Sequence, residues 1–301
     1  MLDFRMDTFL AVCEAMNFTR AAEKLNITQP AVSQHIRFLE EYYDTRLFQM
    51  RGKKAELTRA GKLLQSVGLT MKHDVLSLRK EIRELQEKKS LRFGVTLTVG
   101  EFVIPGPLGR YLMLHPDISL KMEVANTQAL LKKLDGGEID FALVEGYFAK
   151  NEYEHLVYAT EPYIAVCGKR YAFRKEPKRL EDLMEERLIL REPGSGTREI
   201  LERCLEERNL SLSDFSNRIE IGSIAAIKEL VREAYGVTFL YEAAVKKELR
   251  EGTLQKIPIE DFSVAHDLTF IWRRGSAFSE QYKKLFRELK ADKGLDGLSG
   301  R

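Results

Sequence analysis

Residues 17–40, NFTRAAEKLNITQPAVSQHIRFLE, restrict what this chain can fold into more than any other stretch of it. Ala21, Ala22 and Leu25 recur at helical spacing, and small side chains there let another helix cross closely. Thr19 is the expected N-cap of this helix. Asn26, Ile27 and Thr28 then form a turn, with Thr28 as the next N-cap. Pro30 falls in the following first turn, where its missing N–H costs nothing. The second helix divides into two faces. Val32, Ile36 and Leu39 recur every third or fourth residue and are expected to be buried. Gln29, Ser33 and Arg37, with Gln34 beside them, offer donors and acceptors suited to base edges and phosphates. Helix, tight turn and polar-faced second helix is the layout of a helix-turn-helix, whose second helix enters the major groove of duplex DNA. Met6, Phe9, Leu10, Cys13 and Met16 predict one more amphipathic helix ahead of it.

Two short strands, Leu47-Phe48 and Ala55 to Leu57, are expected to form a hairpin wing around a turn at Gly52. Arg51, Lys53 and Lys54 sit at its tip, within reach of phosphates or a minor groove. Charge distribution supports this better than total charge. The chain carries a net charge of +2, and residues 1–58 hold eight Lys/Arg against eight Asp/Glu. Between Arg46 and Lys62, however, six basic residues face one acid, Glu56, which makes a local basic patch.

From Thr58 to Lys89 there is no proline and only two glycines. Leu64, Val67, Met71, Val75, Leu78, Ile82 and Leu85 repeat with a mean spacing of 3.5 residues, the period of a helix packed along a partner helix. Gly68 interrupts this helix at a cost of about 1 kcal/mol relative to Ala, acceptable where two backbones approach closely.

From Ser90 the pattern changes. Short apolar runs at Leu91–Val95, Leu120–Val124, Phe141–Val144, Tyr163–Cys167, Leu188–Leu190, Ile219–Ile221, Val237–Leu240 and Leu268–Trp272 read as strands. Helical patterns at Gln128–Asp135, Thr197–Arg208, Ala225–Ala234 and Ser279–Leu289 lie between several of them. Alternation of this kind predicts an α/β fold with an open, mostly parallel sheet, which binds ligands at the carboxyl ends of its strands beside helix N-termini. Hydroxyls collect at those ends: Thr96 and Thr98, then Asn126-Thr127, then Ser195, Gly196 and Thr197 within REPGSGTRE. Arg191 or Arg198 could add charge there. Glu145 faces the same edge and would repel an anion unless an arginine pairs with it.

Other classes find little support. Gly194-Ser195-Gly196 is not a nucleophile elbow, and no phosphate-binding P-loop occurs, so no catalytic residues are assigned and an enzyme is not expected. Five scattered histidines lack metal-ligand spacing, so neither a metal nor a cofactor is expected. His35, on the second helix, fits a packing or phosphate contact. No run of 18 apolar residues predicts a membrane span, and the acids within MLDFRMDTFLAVCEAM argue against a signal peptide. Three dispersed cysteines fit a reducing, cytoplasmic setting. A solute-binding or enzymatic α/β domain fused to a DNA-binding module is the alternative arrangement.

The run AAEKLNITQPAVSQHIRFLE, then LFxxR, then LTxAG, resembles the N-terminal domain of LysR-type transcriptional regulators. The resemblance implies a winged helix-turn-helix over 1–58, a linker and dimerisation helix over 59–89, and an effector-binding domain over 90–301. The last is similar to periplasmic solute-binding proteins, with lobe I at 90–161 and 267–290, lobe II at 162–266, and 291–301 as a flexible tail. It further implies a homo-oligomer built as a dimer of dimers, contact with RNA polymerase, and a small-molecule effector, expected to be an anion, held between the lobes. The effector would lie at loops matching Thr96, Thr98, Thr127, Ser195, Gly196 and Thr197, beside Glu145. Thr96/Thr98 before Gly100-Glu101-Phe102, with REPGSGTR later, look most like the branch that regulates sulfur assimilation and cysteine synthesis.

Overall fold

The computed structural model describes residues 3–51, 54–84 and 89–290. Lys53, the turn at Gly52, Leu85 and the 291–301 tail lie outside the described residues, as does the side chain of Lys54.

Three helices open the chain: α1 (Phe4–Ala15), α2 (Phe18–Leu25) and α3 (Gln29–Tyr42). The cap of α2 is Asn17, not Thr19. Its side-chain oxygen accepts from the amides of Thr19 and Arg20 at 2.9 and 3.0 Å. Asn17 holds the extended backbone that a cap requires, so Thr19 already lies inside the helix. Asn26 ends α2 in the left-handed region at φ 54°, a conformation asparagine tolerates better than most residues. Thr28 caps α3, its hydroxyl accepting from Ala31 N at 3.3 Å. Phe9, Val12, Ala21 and Val32 lock the three helices together and are fully buried.

The wing is an antiparallel pair, β1 (Phe48–Arg51) and β2 (Lys54–Leu57), with Arg51 opposite Lys54. Glu40 fastens it to α3. Its carboxylate accepts from the amides of Leu47 and Phe48 at 2.8 and 3.3 Å and from Arg46 at 2.8 Å. Thr58 then opens α4 (Arg59–Glu84), donating to Arg46 O at 2.7 Å and accepting from Gly61 N at 3.0 Å. A Cβ on Gly61 would lie 2.1 Å from the Leu47 carbonyl oxygen, so only glycine fits beneath the wing.

Helix α4 has 26 residues and shows two unlike faces. One packs on the rest of the chain. Gly68 sits against Met6 and Leu10 of α1, the close approach its position in mid-helix suggested. His73 is fully buried with Nε2 3.3 Å from Ile139 O, and Asp74 accepts from Ser276 Oγ at 2.6 Å and Ala277 N at 2.8 Å. The other face leaves Leu63, Val67, Met71, Leu78 and Ile82 exposed.

Alternating elements follow: β3 (Ser90–Val95), α5 (Pro105–Leu114), β4 (Ser119–Val124), α6 (Thr127–Asp135), β5 (Phe141–Val144) and β6 (Tyr153–Gly168). Next come β7 (Arg187–Leu190), α7 (Gly196–Glu206), β8 (Asn217–Glu220), α8 (Ile224–Arg232), β9 (Val237–Tyr241) and α9 (Glu242–Glu251). The described chain closes with β10 (Leu254–Lys256), β11 (Val264–Arg273) and α10 (Ser279–Lys290).

The strands order as β4-β3-β5-β11-β6-β9-β7-β8, with β10 on β6. Parallel pairing holds at both ends of this order, β3 with β4 and β5, and β7 with β8 and β9. Two long strands, β6 and β11, join the two halves and run antiparallel to their neighbours, which makes the sheet mixed. They are longer than their apolar cores suggested because their outer stretches are mostly half-buried or exposed and so show no apolar run. Both pass between the halves side by side, with Pro162 opposite Ala265 and Glu161 opposite His266.

Candidate functional site

Two surfaces carry exposed or unpaired polar groups in a purposeful arrangement. The first is α3. Val32, Ile36 and Leu39 are buried, which turns Gln29, Pro30, Gln34 and Arg37 to solvent and leaves Ser33 half-buried. Gln29 Nε2 donates to Ser33 Oγ at 2.9 Å, and Arg37 Nε donates to Glu41 at 2.8 Å. Both partnerships are on the surface and cost little to exchange for a base edge or phosphate. His35 is held apart from this set: its Nδ1 lies 3.0 Å from Thr8 Oγ1 and its ring packs edge-on to Phe4. At the wing, Arg51 is 83% exposed, with Glu56 3.8 Å away.

The second surface is a cleft of about 190 Å³ at the carboxyl ends of the parallel strands, where the two halves of the sheet meet. Thr96 follows β3, Asn126 follows β4, Glu145 follows β5, and Arg191, Ser195 and Gly196 bridge β7 and α7. Ser195 occupies the N-cap position of α7 yet makes no side-chain cap bond, while the Thr197 amide in the first turn of the helix already donates to the Glu145 carboxylate. Asn126 does cap α6, accepting from Ala129 N at 2.9 Å.

Thr98, Thr127 and Thr197 lie buried just behind the lining. Thr197 Oγ1 donates to Glu145 Oε1 at 2.9 Å, Thr98 Oγ1 is 3.4 Å from Thr197 Oγ1, and Tyr163 of β6 donates to Thr197 O at 2.8 Å. Thr127 supports the wall through Gly146, whose Cβ, were there one, would lie 2.4 Å from Thr127 Oγ1. Gly196 is confined in the same way, a Cβ there meeting Glu145 Cγ at 2.9 Å. The sequence reading thus names lining and supporting residues together without telling them apart.

Arg191 is the arginine that enters the cleft. Its Nε and Nη2 form a paired contact with Glu192 at 2.7 and 2.8 Å. Arg198 turns away to Glu202 and Glu220. Burial pushes the Glu145 carboxyl above its ordinary range, opposed by hydrogen bonds from Thr98 and Thr197 and by the charge of Arg191. Thr96, Glu145, Arg191 and Ser195 line this cavity, and their Oγ1, Oε2, Nη1 and Oγ atoms respectively are buried without a hydrogen-bond partner. Leaving each such group unpaired costs about 1–3 kcal/mol. Glu192 and Gly222 also line the cavity, and the sequence reading did not single them out. Gly222 directly precedes Ser223, the cap of α8, and that Gly-Ser turn after a strand was the available signal.

On the far side of Glu145 the two halves touch again. The Arg203 guanidinium of α7 stacks 3.4 Å over the Tyr147 ring, which lies 5.4 Å from His266 of β11. Among the described residues, no group of three or more His, Cys, Asp or Glu is placed to hold a metal, and no helix is long and apolar enough to cross a membrane.

A winged helix-turn-helix joined to a two-part ligand-binding α/β domain defines a ligand-responsive DNA-binding regulator. Known proteins agree. Residues 5–62 match the family model of the bacterial regulatory helix-turn-helix protein, lysR family, and residues 85–293 match that of the LysR substrate binding domain. The RuBisCO operon transcriptional regulator of Acidithiobacillus ferrooxidans is 32% identical over 98% of this chain and 95% of its own length. The HTH-type transcriptional regulator CysL of Bacillus subtilis is 30% identical over 88% of this chain and 89% of its own. Full-length LysG of Corynebacterium glutamicum, solved with bound effector Arg, shares the fold at a TM-score of 0.62 and 18% identity, covering 96% of this chain and 98% of that one. The chain belongs to the LysR family of transcriptional regulators and is a DNA-binding regulator with an effector-binding domain, not an enzyme.

Proposed function

We propose that this regulator binds promoter DNA through α3 and the wing, as a cytoplasmic homo-oligomer assembled as a dimer of dimers. Thr28, Gln29, Pro30, Ser33, Gln34 and Arg37 fix register or read bases, while Arg51, Lys53 and Lys54 contact the backbone. The observation that carries this reading is the division of α3 into a buried apolar face and an exposed polar one. The exposed stripe of α4 supports pairing of two chains along that helix. The chain divides into a DNA-binding domain at 1–58, a linker helix at 59–89 and an effector domain at 90–301. In the last, lobe I (90–161 and 267–290) and lobe II (162–266) close on a small effector whose anionic group meets Arg191 and the Ser195 hydroxyl. Thr96, Glu145, Ser195 and Gly196 line that cleft, supported by Thr98, Thr127 and Thr197. Effector binding shifts the lobes and, through α4, the DNA-binding domains, which alters how the bound oligomer meets RNA polymerase.

Arg37→Ala tests the DNA assignment. Fluorescence anisotropy on promoter fragments should show a loss of about tenfold or more, ~1.4 kcal/mol, with the circular dichroism spectrum unchanged. Equal affinity for the two proteins would remove Arg37 from the reading face. Regulation of sulfur assimilation has the support of the cleft sequence and of the CysL relative. Thermal-shift measurements with sulfate, thiosulfate, O-acetylserine and N-acetylserine test it, and stabilisation by none of them would point to other target genes.

A further inference from the structure

The unpaired groups in the cleft are of opposite kinds. Arg191 Nη1 can only donate, and an ionised Glu145 Oε2 can only accept, while Thr96 and Ser195 hydroxyls do either. Their charges do not favour an anion alone. Arg191 is already matched by Glu192, and Glu145 places a second carboxylate on the same wall, so one guanidinium faces two carboxylates. A ligand carrying only negative charge would satisfy Arg191 Nη1 and bring its charge towards Glu145. A ligand carrying only positive charge would satisfy Glu145 and leave Nη1 unpaired.

Resting on the reading of this cleft as the effector site, we infer that the effector is a small amphoteric molecule. Its anionic group binds Arg191 Nη1 and the Ser195 hydroxyl, and its cationic N–H group donates to Glu145 Oε2. An α-amino acid, or a close analogue with a free amine, is the simplest such chemistry. Size agrees: the cleft of about 190 Å³ lies below the roughly 300–1,000 Å³ of pockets for drug-sized ligands. The hydroxyls of Thr96 and Ser195 complete the bonding of the two charged ends. The titratable groups facing Glu145 are Arg191 and Glu192 from the β7–α7 connection, Tyr163 from β6 and Tyr241 from β9. Burial holds both phenols neutral, well above their usual range, so Glu145 is the group that responds to an incoming ammonium.

The test uses the full-length protein, with thermal shift and calorimetric titration against the standard L-amino acids, their N-acetyl counterparts, sulfate and phosphate. At least one free amino acid should bind, and its N-acetyl form, which keeps the carboxylate and loses the cation, should bind roughly tenfold more weakly or worse. Glu145→Gln, compared at its own melting temperature to verify folding, should lose roughly tenfold or more for the free amino acid but not for the N-acetyl form. Affinity for the free amino acid should rise as pH increases above the ordinary carboxyl range and Glu145 ionises, whereas an anion bound by a protonated Glu145 would show the opposite trend. Tighter binding of the N-acetyl compounds or inorganic anions, amino-acid binding unchanged in Glu145→Gln, or no binding by any probe would each overturn the inference. Ser195→Phe, which fills the cavity, separates the two levels. If it abolishes binding of an anion-only probe, the cleft stands as the effector site and only its amphoteric character falls. If a probe binds wild type and Ser195→Phe alike, the cleft reading itself fails.

Discussion

Glu145 meets opposing demands in one side chain. Its Oε1 is satisfied by Thr197, yet burial makes the ionised form unfavourable and raises its pKa. A carboxyl that holds its proton more tightly in the folded protein than in the unfolded chain loses stability as pH rises. The loss begins above the ordinary value of 4.5 and is complete once pH has passed the raised value. Urea unfolding of the ligand-free protein at about pH 5 and about pH 8 should therefore show Glu145→Gln gaining on wild type at the higher pH. An identical pH dependence for the two proteins would mean that the buried carboxylate is not strained. Glu145 was visible in the sequence because Val-Glu-Gly ends an apolar strand. The pairing of Arg191 with Glu192 was not, since adjacent residues declare nothing about which way their side chains turn. The cap of α2 shows the same limit on a smaller scale: Asn17 and Thr19 both suit the role, and only the backbone conformation of Asn17 decides between them.

Among the elements, α4 separates two functions by face. The polar side holds the effector domain through His73, Asp74 and Lys80, and the apolar side is left open. The 3.5-residue repeat made Val67, Met71, Leu78 and Ile82 of the open face legible, while Leu64 of the same repeat packs against the DNA-binding core instead. The polar face was not legible because Ser66, Thr70, His73 and Ser77 look like ordinary solvated positions until Arg273 and Tyr282 are brought against them. The π-helical turn at Val99–Val103 also left no mark in the pattern, because five residues make barely one turn, too few to show a period. Replacing Val67 and Met71 together by Glu should convert the proposed oligomer to monomers in light scattering while helicity is retained. Both residues are exposed in a single chain, so their replacement removes no packing from its core. A mass unaffected by the two charges would place the oligomer contact elsewhere.

Across the whole molecule, β5 links the contact with α4 to the cleft between the two halves of the sheet. Asp140, just before β5, binds Lys80 of α4 at 2.5 Å and Arg92 at 3.1 Å, and Glu145, just after it, lines the cleft. The strand between them is fully buried, and packed interiors transmit displacement with little give. Lys80→Met should therefore leave effector affinity within about twofold while reducing the effector's influence on promoter binding, measured by anisotropy with and without ligand. Full retention of that influence would route the signal through Arg273 instead, which spans from Asp135 to the Ser66 carbonyl of α4. The free length of α4 sets the gain of this arrangement. Beyond Ser66, its last contact with the effector domain, about seven residues run back to Arg59, an arm of ~10 Å at ~1.5 Å per residue. A tilt of about 5° moves the end of such an arm by ~1 Å, and the ~3.4 Å rise of a single base pair takes a tilt of about 20°. In the proposed mechanism the recognition helix therefore changes base step only if the lobes turn α4 through a large angle.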